Sequence, residues 1–241
     1  SGVPLDARTH SAKDNLVGYY RNNHFTTAGT WEDLSTNDNH GTVVGGTTTT
    51  FFQEGLTANL DNQGFPINIT HPSNGAVNFI GTTSTNASSY IDLNKDIEIE
   101  GDYMVMLWFK GNPSNLPYIW GHSGNDYFRM ADKDTFTLKS NNVTKTLELE
   151  TSPNKDILTE QWHHIALTRN NGTLLMYIDN EAQSSGTLSD TATLKIRALM
   201  RRDLTSDNYG SGMIDEFFVY DNFNANTVSK NYNHGKGKHK N

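Results

Sequence analysis

A chain of 241 residues with 19 Lys and Arg against 27 Asp and Glu carries a formal charge of -8, which argues against a surface built to neutralise phosphates or anionic lipid headgroups. Hydrophobic residues make up only 34% while aromatics reach 10%, the balance of a two-layer β protein with wet outer faces and an aromatic core, not of a disordered chain. Cysteine is absent, so disulfide frameworks, thiolate zinc sites and cysteine nucleophiles are excluded together.

The length suits one undivided sandwich or barrel, and no apolar run approaches the roughly 18 residues of a membrane span. Residues 1–15 read as an irregular lead-in, 16–232 as a single domain, and 233–241 as a basic, flexible tail that includes HGKGKHKN. Such short basic tails are usually solvated, so neither nucleic acid nor membrane insertion is expected. Ser1 in first position is expected of a processed chain or of a piece of a longer one.

The first strand is predicted at residues 16–20 (LVGYY), followed by TWEDLSTNDNHGTVVGG over residues 30–46. Its Asp, Asn and Gly accept positive φ and hydrogen-bond their own backbone, which predicts a tight ordered loop and neither strand nor helix. Residues 47–74 show scattered apolars and no clear period. Strand signals then recur at 76–80, 88–93, 103–110, 118–122, 127–130, 135–139, 144–149, 162–169, 173–179, 182–185, 194–198 and 213–220. Short strands at this spacing are the signature of an all-β sandwich. One helix is predicted at 224–232 (NANTVSKNY), with Asn224 or Asn226 as N-cap. Asn-x-Ser/Thr sequons at Asn68, Asn86, Asn142 and Asn171 carry little information in a chain this rich in Asn, Ser and Thr.

Two adjacent histidines stand out in QWHHIALTRNNGTLLMYIDN, a predicted hairpin around Asn170-Asn171-Gly172. Alternation puts Trp162, His164 and Ala166 on one face and His163, Ile165 and Leu167 on the other. One metal ion is therefore not held by both histidines, and a packed core histidine beside a surface histidine is expected.

Four stretches in order, DLSTNDNHGTVVG, VNFIGTTSTNASSYIDL with GDYMVMLWFKGN, WHHIALTRNNGTLLMYIDN and GMIDEFFVYDNFNANTVSKNY, resemble the laminin-G-like, concanavalin A-like jelly-roll family, particularly its bacterial and phage branch. The resemblance implies an all-β, two-sheet antiparallel jelly-roll sandwich with a short C-terminal helix. The family's usual Ala-Leu-Ser turn before that helix is replaced here by Asn224-Ala225-Asn226, and the insertion over 47–74 is longer than the family pattern.

Three clusters are candidates for chemistry. IEIEGD at 97–102 places Glu98, Glu100 and Asp102 on one strand face, the geometry a retaining glycosidase needs for nucleophile and acid. The family's glucanases, however, carry Glu-x-Asp and a further Glu inside an apolar strand, whereas Gly101 breaks the strand here. An exposed acidic edge is expected and no catalytic residue is assigned. The Arg-x-Glu-x-Arg strand of the alginate-lyase branch is absent from the sequence. A second cluster, Asp33, Asn37, Asp38 and Asn39 with Asp215 of GMIDEF, offers the hard oxygens that calcium takes in sets of roughly six to eight. Many family members hold calcium at the sandwich edge, so the resemblance implies calcium as the candidate cofactor, although Asx-rich loops also close on their own backbone without metal. The third is YIWGHSGNDYFR, an aromatic platform with planar polar groups of the kind sugars need. With Trp120 and Phe128 expected in the core, His122, Asn125, Asp126, Tyr127 and Arg129 remain as ligand-binding candidates.

The function expected is that of a non-catalytic recognition or adhesion domain, lectin-like, binding a glycan or cell-surface polysaccharide at an extracellular or virion surface. Two alternatives stand beside it. One is a purely structural surface domain, such as a phage decoration or fibre component touching other virion or surface proteins; the other is a glycan-cleaving hydrolase or lyase. This fold hosts all three.

Overall fold

The computed structural model describes residues 7–9, 11–25, 29–45, 77–79, 89–111, 113, 116–149 and 156–236. The segment 47–74, the sequons at Asn68 and Asn86, and the tail beyond Lys236 lie outside the described residues. In chain order the strands are β1 (Leu16–Phe25), β2 (Thr30–Asp33), β3 (Gly41–Val44), β4 (Val77–Phe79), β5 (Tyr90–Ile99), β6 (Tyr103–Gly111), β7 (Tyr118–Ser123) and β8 (Asp126–Asp132). Then follow β9 (Thr135–Ser140), β10 (Val143–Glu148), β11 (Trp162–Asn170), β12 (Thr173–Ile178), β13 (Glu181–Ser189), β14 (Leu194–Leu199) and β15 (Gly212–Tyr220), with helix α1 (Ala225–Lys236) last.

Hydrogen bonding runs β10-β9-β8-β7-β14-β5-β3-β2-β1-β15-β6-β11-β12-β13, with β4 on β15. One apolar cluster draws Ile97, Trp120, Phe128, Phe136 and Ile196 from one half of that path and Tyr20, Leu107, Ile165, Met176 and Phe217 from the other. The path therefore folds over at β2–β3 into two facing antiparallel layers, the jelly-roll sandwich expected from the sequence. A second cluster lies on the other side of the β1-β15-β6-β11 layer, where Met104, Met106, Ala166 and Phe218 meet Val228 of α1 and Ala7 and Ala12 of the lead-in. That layer is thus covered on both faces, which is why β6 reads YMVMLWF without polar alternation.

The helix starts where Asn224 caps it. Its Oδ1 accepts from Asn226 N at 3.0 Å and its carbonyl from Thr227 N at 2.9 Å. The adjacent histidines separate as alternation requires. His164 is fully buried, its ring 5.4 Å from Trp108 and 5.9 Å from Tyr232. His163 faces the other way and, with Nδ1 as donor, meets Asp179 Oδ2 at 2.8 Å.

Four sequence expectations need correction. Residues 30–46 are not one loop: TWED and GTVV pair with β1 and β5, because Trp31 is fully buried in the core and draws its segment into the sheet. The first strand extends to Phe25, and the strand expected at 182–185 runs from Glu181 to Ser189. The strand expected at 88–93 runs on to Ile99. A bulge throws Asn94, Lys95 and Asp96 outward while Ile97 and Ile99 return to the core, which hid the period in the sequence. Beyond it, Arg169 is buried and donates to the Glu100 carbonyl at 2.5 Å and to Gly101 O through Nε at 2.8 Å, with Nη1 on Ala192 O. The Glu100–Gly101 turn is therefore fastened from inside, with Glu98 and Glu100 exposed outside it. No described helix is long and apolar enough to cross a membrane.

Candidate functional site

The hairpins β7-β8-β9-β10 have one face in the core and the other turned away from it. Trp120 stacks on Phe128 at 4.3 Å and Phe128 on Phe136 at 5.0 Å, so Trp120 and Phe128 belong to the core. Period-two alternation then fixes the opposite face. Register aligns Tyr118, Arg129, Thr137 and Thr146 in one row across the strands, and Gly121, Tyr127, Lys139 and Thr144 in the next.

Within this lattice the Tyr118 and Tyr127 rings meet edge to face at 5.3 Å. The Arg129 guanidinium lies 5.5 Å from the Tyr118 ring centre, and Lys139 Nζ lies 5.9 Å from that of Tyr127 while donating to Gly124 O at 3.0 Å. Two half-buried aromatic rings flanked by two cations give a surface with both apolar and charged recognition elements. Arg129 Nε is shielded from solvent and has no hydrogen-bond partner among the described residues.

The turn before β8 is built by its own side chains. Asp126 accepts from Ser123 Oγ at 2.8 Å through one oxygen and from Asn141 N at 2.8 Å through the other. Asn125 N donates to Ser123 Oγ at 3.1 Å, and the Asn125 carbonyl accepts from Asn142 N at 3.1 Å. Of the five ligand-binding candidates, the structure thus brings Tyr127 and Arg129 onto the lattice, sets His122 at its border, and engages Asn125 and Asp126 in the turn that holds β8 against β9. Sequence reasoning passed over Lys139 and Arg202 and left Tyr118 out of the final set. Alternation in TFTLKS, with Phe136 and Leu138 inward, is the signal that could have found Lys139.

A wall rises beside the tyrosines. The chain from Arg201 to Tyr209 closes on itself through an Arg201–Tyr209 bridge and an Arg202 N–H donation to Asn208 O at 2.9 Å. Asp203 organises it, accepting from Thr205 N, Thr205 Oγ and Ser206 N at 2.9, 2.9 and 2.7 Å and from Arg202 Nε at 2.8 Å. Burial alone would raise its pKa, but Arg202 and these donors win and hold the carboxyl well below its usual range. Arg201 sits between the Tyr90 and Tyr209 rings at 4.3 and 4.7 Å and donates twice to Ser206 O. The loop rests its Arg202 carbonyl directly on Gly121, where a Cβ would come within 1.9 Å of that oxygen.

Between wall and sheet lies a cavity of about 430 Å³, lined by Asp96, His122, Ser123, Gly124, Arg197, Arg202, Asp203, Leu204 and Thr205. Asp96, Glu98 and His122 bring one potential ligand atom each within 4.8 Å of the others. Cations already serve them: Arg197 Nη1 reaches Asp96 at 3.4 Å and Lys195 reaches Glu98 at 3.5 Å.

The expected calcium ligands divide between two places. Asp33, Asn37, Asp38 and Asn39 stay together beside β2, but Asp33 takes donations from Tyr19 N, Ser35 N, Ser35 Oγ and Asn39 N. Asn39 exchanges two hydrogen bonds with the Lys95 backbone, Asn37 donates to Val17 O, and Asp38 is exposed with φ at 50°. Asp215 is fully buried on β15, its Oδ1 accepting from Glu216 N, and it adds to the field around the Arg21–Glu216 ion pair. The Asp33, Asn39 and Asp215 side-chain oxygens are thus spent on protein donors and Asp215 lies apart from the loop, a poor fit to one calcium ion.

A family model, the concanavalin A-like lectin/glucanases superfamily, matches residues 81–224. No curated protein matches the chain. Among solved structures, the binding domain of Paraclostridial Mosquitocidal Protein 1 is similar with a TM-score of 0.55 at 14% identity, over 92% of this chain and 53% of that one. Domain 4 of AbnA, a GH43 extracellular arabinanase from Geobacillus stearothermophilus, in complex with arabinotriose, gives 0.56 at 19%, over 90% and 98%. The botulinum neurotoxin serotype D ligand binding domain in complex with N-acetylneuraminic acid gives 0.54 at 15%, over 92% and 52%. The chain spans about half the length of the two toxin chains, and at these identities the likeness is one of fold.

Proposed function

The chain belongs to the concanavalin A-like lectin/glucanases superfamily, and from that premise we propose that it is a non-catalytic, lectin-like domain that holds a glycan on its Tyr118–Tyr127 face. The observation that carries the reading is the cross-strand lattice itself: two tyrosines 5.3 Å apart with Arg129 and Lys139 over them, beside the cavity under the Arg202 wall. Pyranose rings have an apolar face that rests on an aromatic ring and a rim of hydroxyls that needs planar and charged partners. Aromatic and arginine side chains are also those that carry most energy at recognition surfaces. Domains of the same fold solved in complex with arabinotriose and with N-acetylneuraminic acid support the reading.

Catalysis is not part of it. The candidate acids Glu98 and Glu100 line an acidic cleft but stand exposed in it, Glu98 beside Lys195 at 3.5 Å and Glu100 in a turn anchored by Arg169, so neither has the desolvated surroundings a protonated general acid requires. Adhesion at an extracellular or virion surface belongs to the same proposal, because polymeric glycans accessible to such a face lie there.

A glycan array followed by titration of the hits tests this. The wild-type domain should bind a defined glycan group without releasing product, and Tyr127→Ala or Tyr118→Ala should weaken binding by about tenfold or more. Retained affinity in both variants would remove the face from consideration. Silence across the array would favour a structural surface domain, and product formation an enzyme.

A further inference from the structure

Building on the reading of the Tyr118–Tyr127 face as a glycan site, we infer that the glycan is anionic: a saccharide bearing a carboxylate or a sulfate ester, gripped by the Arg129 guanidinium with Lys139 beside it.

The argument starts from charge. In a chain with eight surplus negative charges, the neighbouring arginines have carboxylate partners. Arg197 meets Asp92 at 2.8 Å and Asp96 at 3.4 Å, and Arg202 meets Asp203 at 2.8 Å. Arg129 and Lys139 have none within 4.0 Å among the described residues. Of the two carboxylates three residues from Arg129, Asp126 has each oxygen engaged by the turn and Asp132 accepts from Asp134 N at 3.2 Å. Two adjacent strands of an acidic protein thus present cations that the acids among the described residues leave unneutralised.

Geometry adds direction. Arg129 packs over the Tyr118 ring at 5.5 Å, an arrangement that holds the guanidinium in place and leaves its fork of N–H donors for a planar anion. Its shielded Nε has no partner among the described residues, so no protein acceptor fixes the guanidinium through that atom. Lys139 spends one donor on Gly124 O and keeps two. The register makes Arg129 and Lys139 diagonal neighbours on β8 and β9, roughly 7–8 Å apart at the backbone. That separation lets two long side chains converge on one anionic group. A neutral sugar would offer only hydroxyls to this pair. A nucleic acid would bring a phosphate every few ångströms against a protein of net charge -8.

The test is calorimetric titration of the domain with matched pairs: sialyllactose against lactose, an oligogalacturonate against its methyl ester, and a sulfated galactan fragment against its desulfated form. In at least one pair the anionic member should bind about tenfold or more tightly, with the preference shrinking as salt is raised. The pair that shows the gap tells carboxylate from sulfate. Arg129→Gln should narrow the gap severalfold, and Arg129→Lys should restore part of it, since it returns the charge without the fork. Lys139→Gln provides a second variant should the first melt early. Equal affinity for both members of every pair would overturn the anionic preference and leave the glycan reading standing. Failure of every member, neutral and anionic, to bind would overturn that reading as well.

Discussion

Replacing Gly121 by alanine tests whether the Arg201–Tyr209 loop is seated on the sheet as described. An ideal Cβ at Gly121 would stand 1.9, 2.6 and 2.9 Å from the carbonyl oxygen, carbonyl carbon and Cα of Arg202. Real Cβ contacts essentially never fall below 3.0 Å, so the carbonyl must retreat by about 1.1 Å. The retreat is opposed by the Arg202 N–H bond to Asn208 O, the Met200 N–H bond to Ile119 O, the Gly210 N–H bond to Met200 O and the Asp203 knot. Forced overpacking of this kind costs about 1–3 kcal/mol, and at this chain length each kcal/mol moves Tm by about 2–4 °C. Gly121→Ala should therefore melt roughly 2–12 °C below wild type in scanning calorimetry, and its glycan affinity should fall because the wall beside Tyr127 has moved. Gly124→Ala is the internal control: it lies in the neighbouring turn with nothing within 4 Å of its Cβ, and it should stay within about 0.5 kcal/mol of wild type. A Gly121→Ala protein that melts with the control would show that the loop does not rest on β7.

Three further outcomes follow from the same structure. Arg169→Ala should destabilise by about 3–5 kcal/mol in urea unfolding, since it strips a buried cation from the carbonyls of Glu100, Gly101 and Ala192; a loss under 1 kcal/mol would mean the turn is held otherwise. Burial acts to raise the pKa of Asp179, but the His163 hydrogen bond, the His164 N–H and the two imidazoles prevail and hold it low, so its stabilising contribution is present above the ordinary Asp pKa of about 3.9 and lost as pH falls through the folded value. Asp179→Asn should thus cost about 1 kcal/mol at pH 7, and the difference from wild type should shrink on acidification below about pH 4; a gap independent of pH would contradict a stabilising Asp179 carboxylate. Because Asp33 is saturated by four protein donors, EDTA should leave Tm unchanged, and a fall on chelation that calcium reverses would return this loop to candidacy as a metal centre.

Much of the sandwich could be read from local pattern. Period-two strands such as TLLMYI and the Asn171-Gly172 turn, with both residues at positive φ, announce themselves without tertiary information. Residues 30–33 and 41–44 did not, because TWED and GTVV are too short to show a period and are recruited by pairing, TWED with neighbouring β1 and GTVV with distant β5. The bulge at Asn94–Asp96 masked the second half of β5 for a related reason: three successive outward residues break the alternation that a sequence scan counts. The site follows the same division. Tyr127 and Arg129 were legible because they lie two apart on one strand around the inward Phe128, and the charge of Asp126 suggested a ligand contact that the turn in fact uses. Lys139 reaches the face only through the β8-β9 register, and Arg202 arrives from a loop about 75 residues further along the chain, carried there by the contact over Gly121. Asp33 and Asp215 share a chemistry, but Asp33 is enlisted by its own loop and Asp215 by the buried surroundings of Arg21 and Glu216.

A crystal structure of the domain bound to the strongest array hit decides whether the outward face of β7-β8-β9 is a glycan platform. The account predicts a sugar ring against Tyr118 or Tyr127 with a polar substituent within hydrogen-bond distance of Arg129, between that face and the Arg202 wall. A sugar seated instead in the acidic cleft lined by Asp14, Glu98, Glu100 and Asp221 would contradict it.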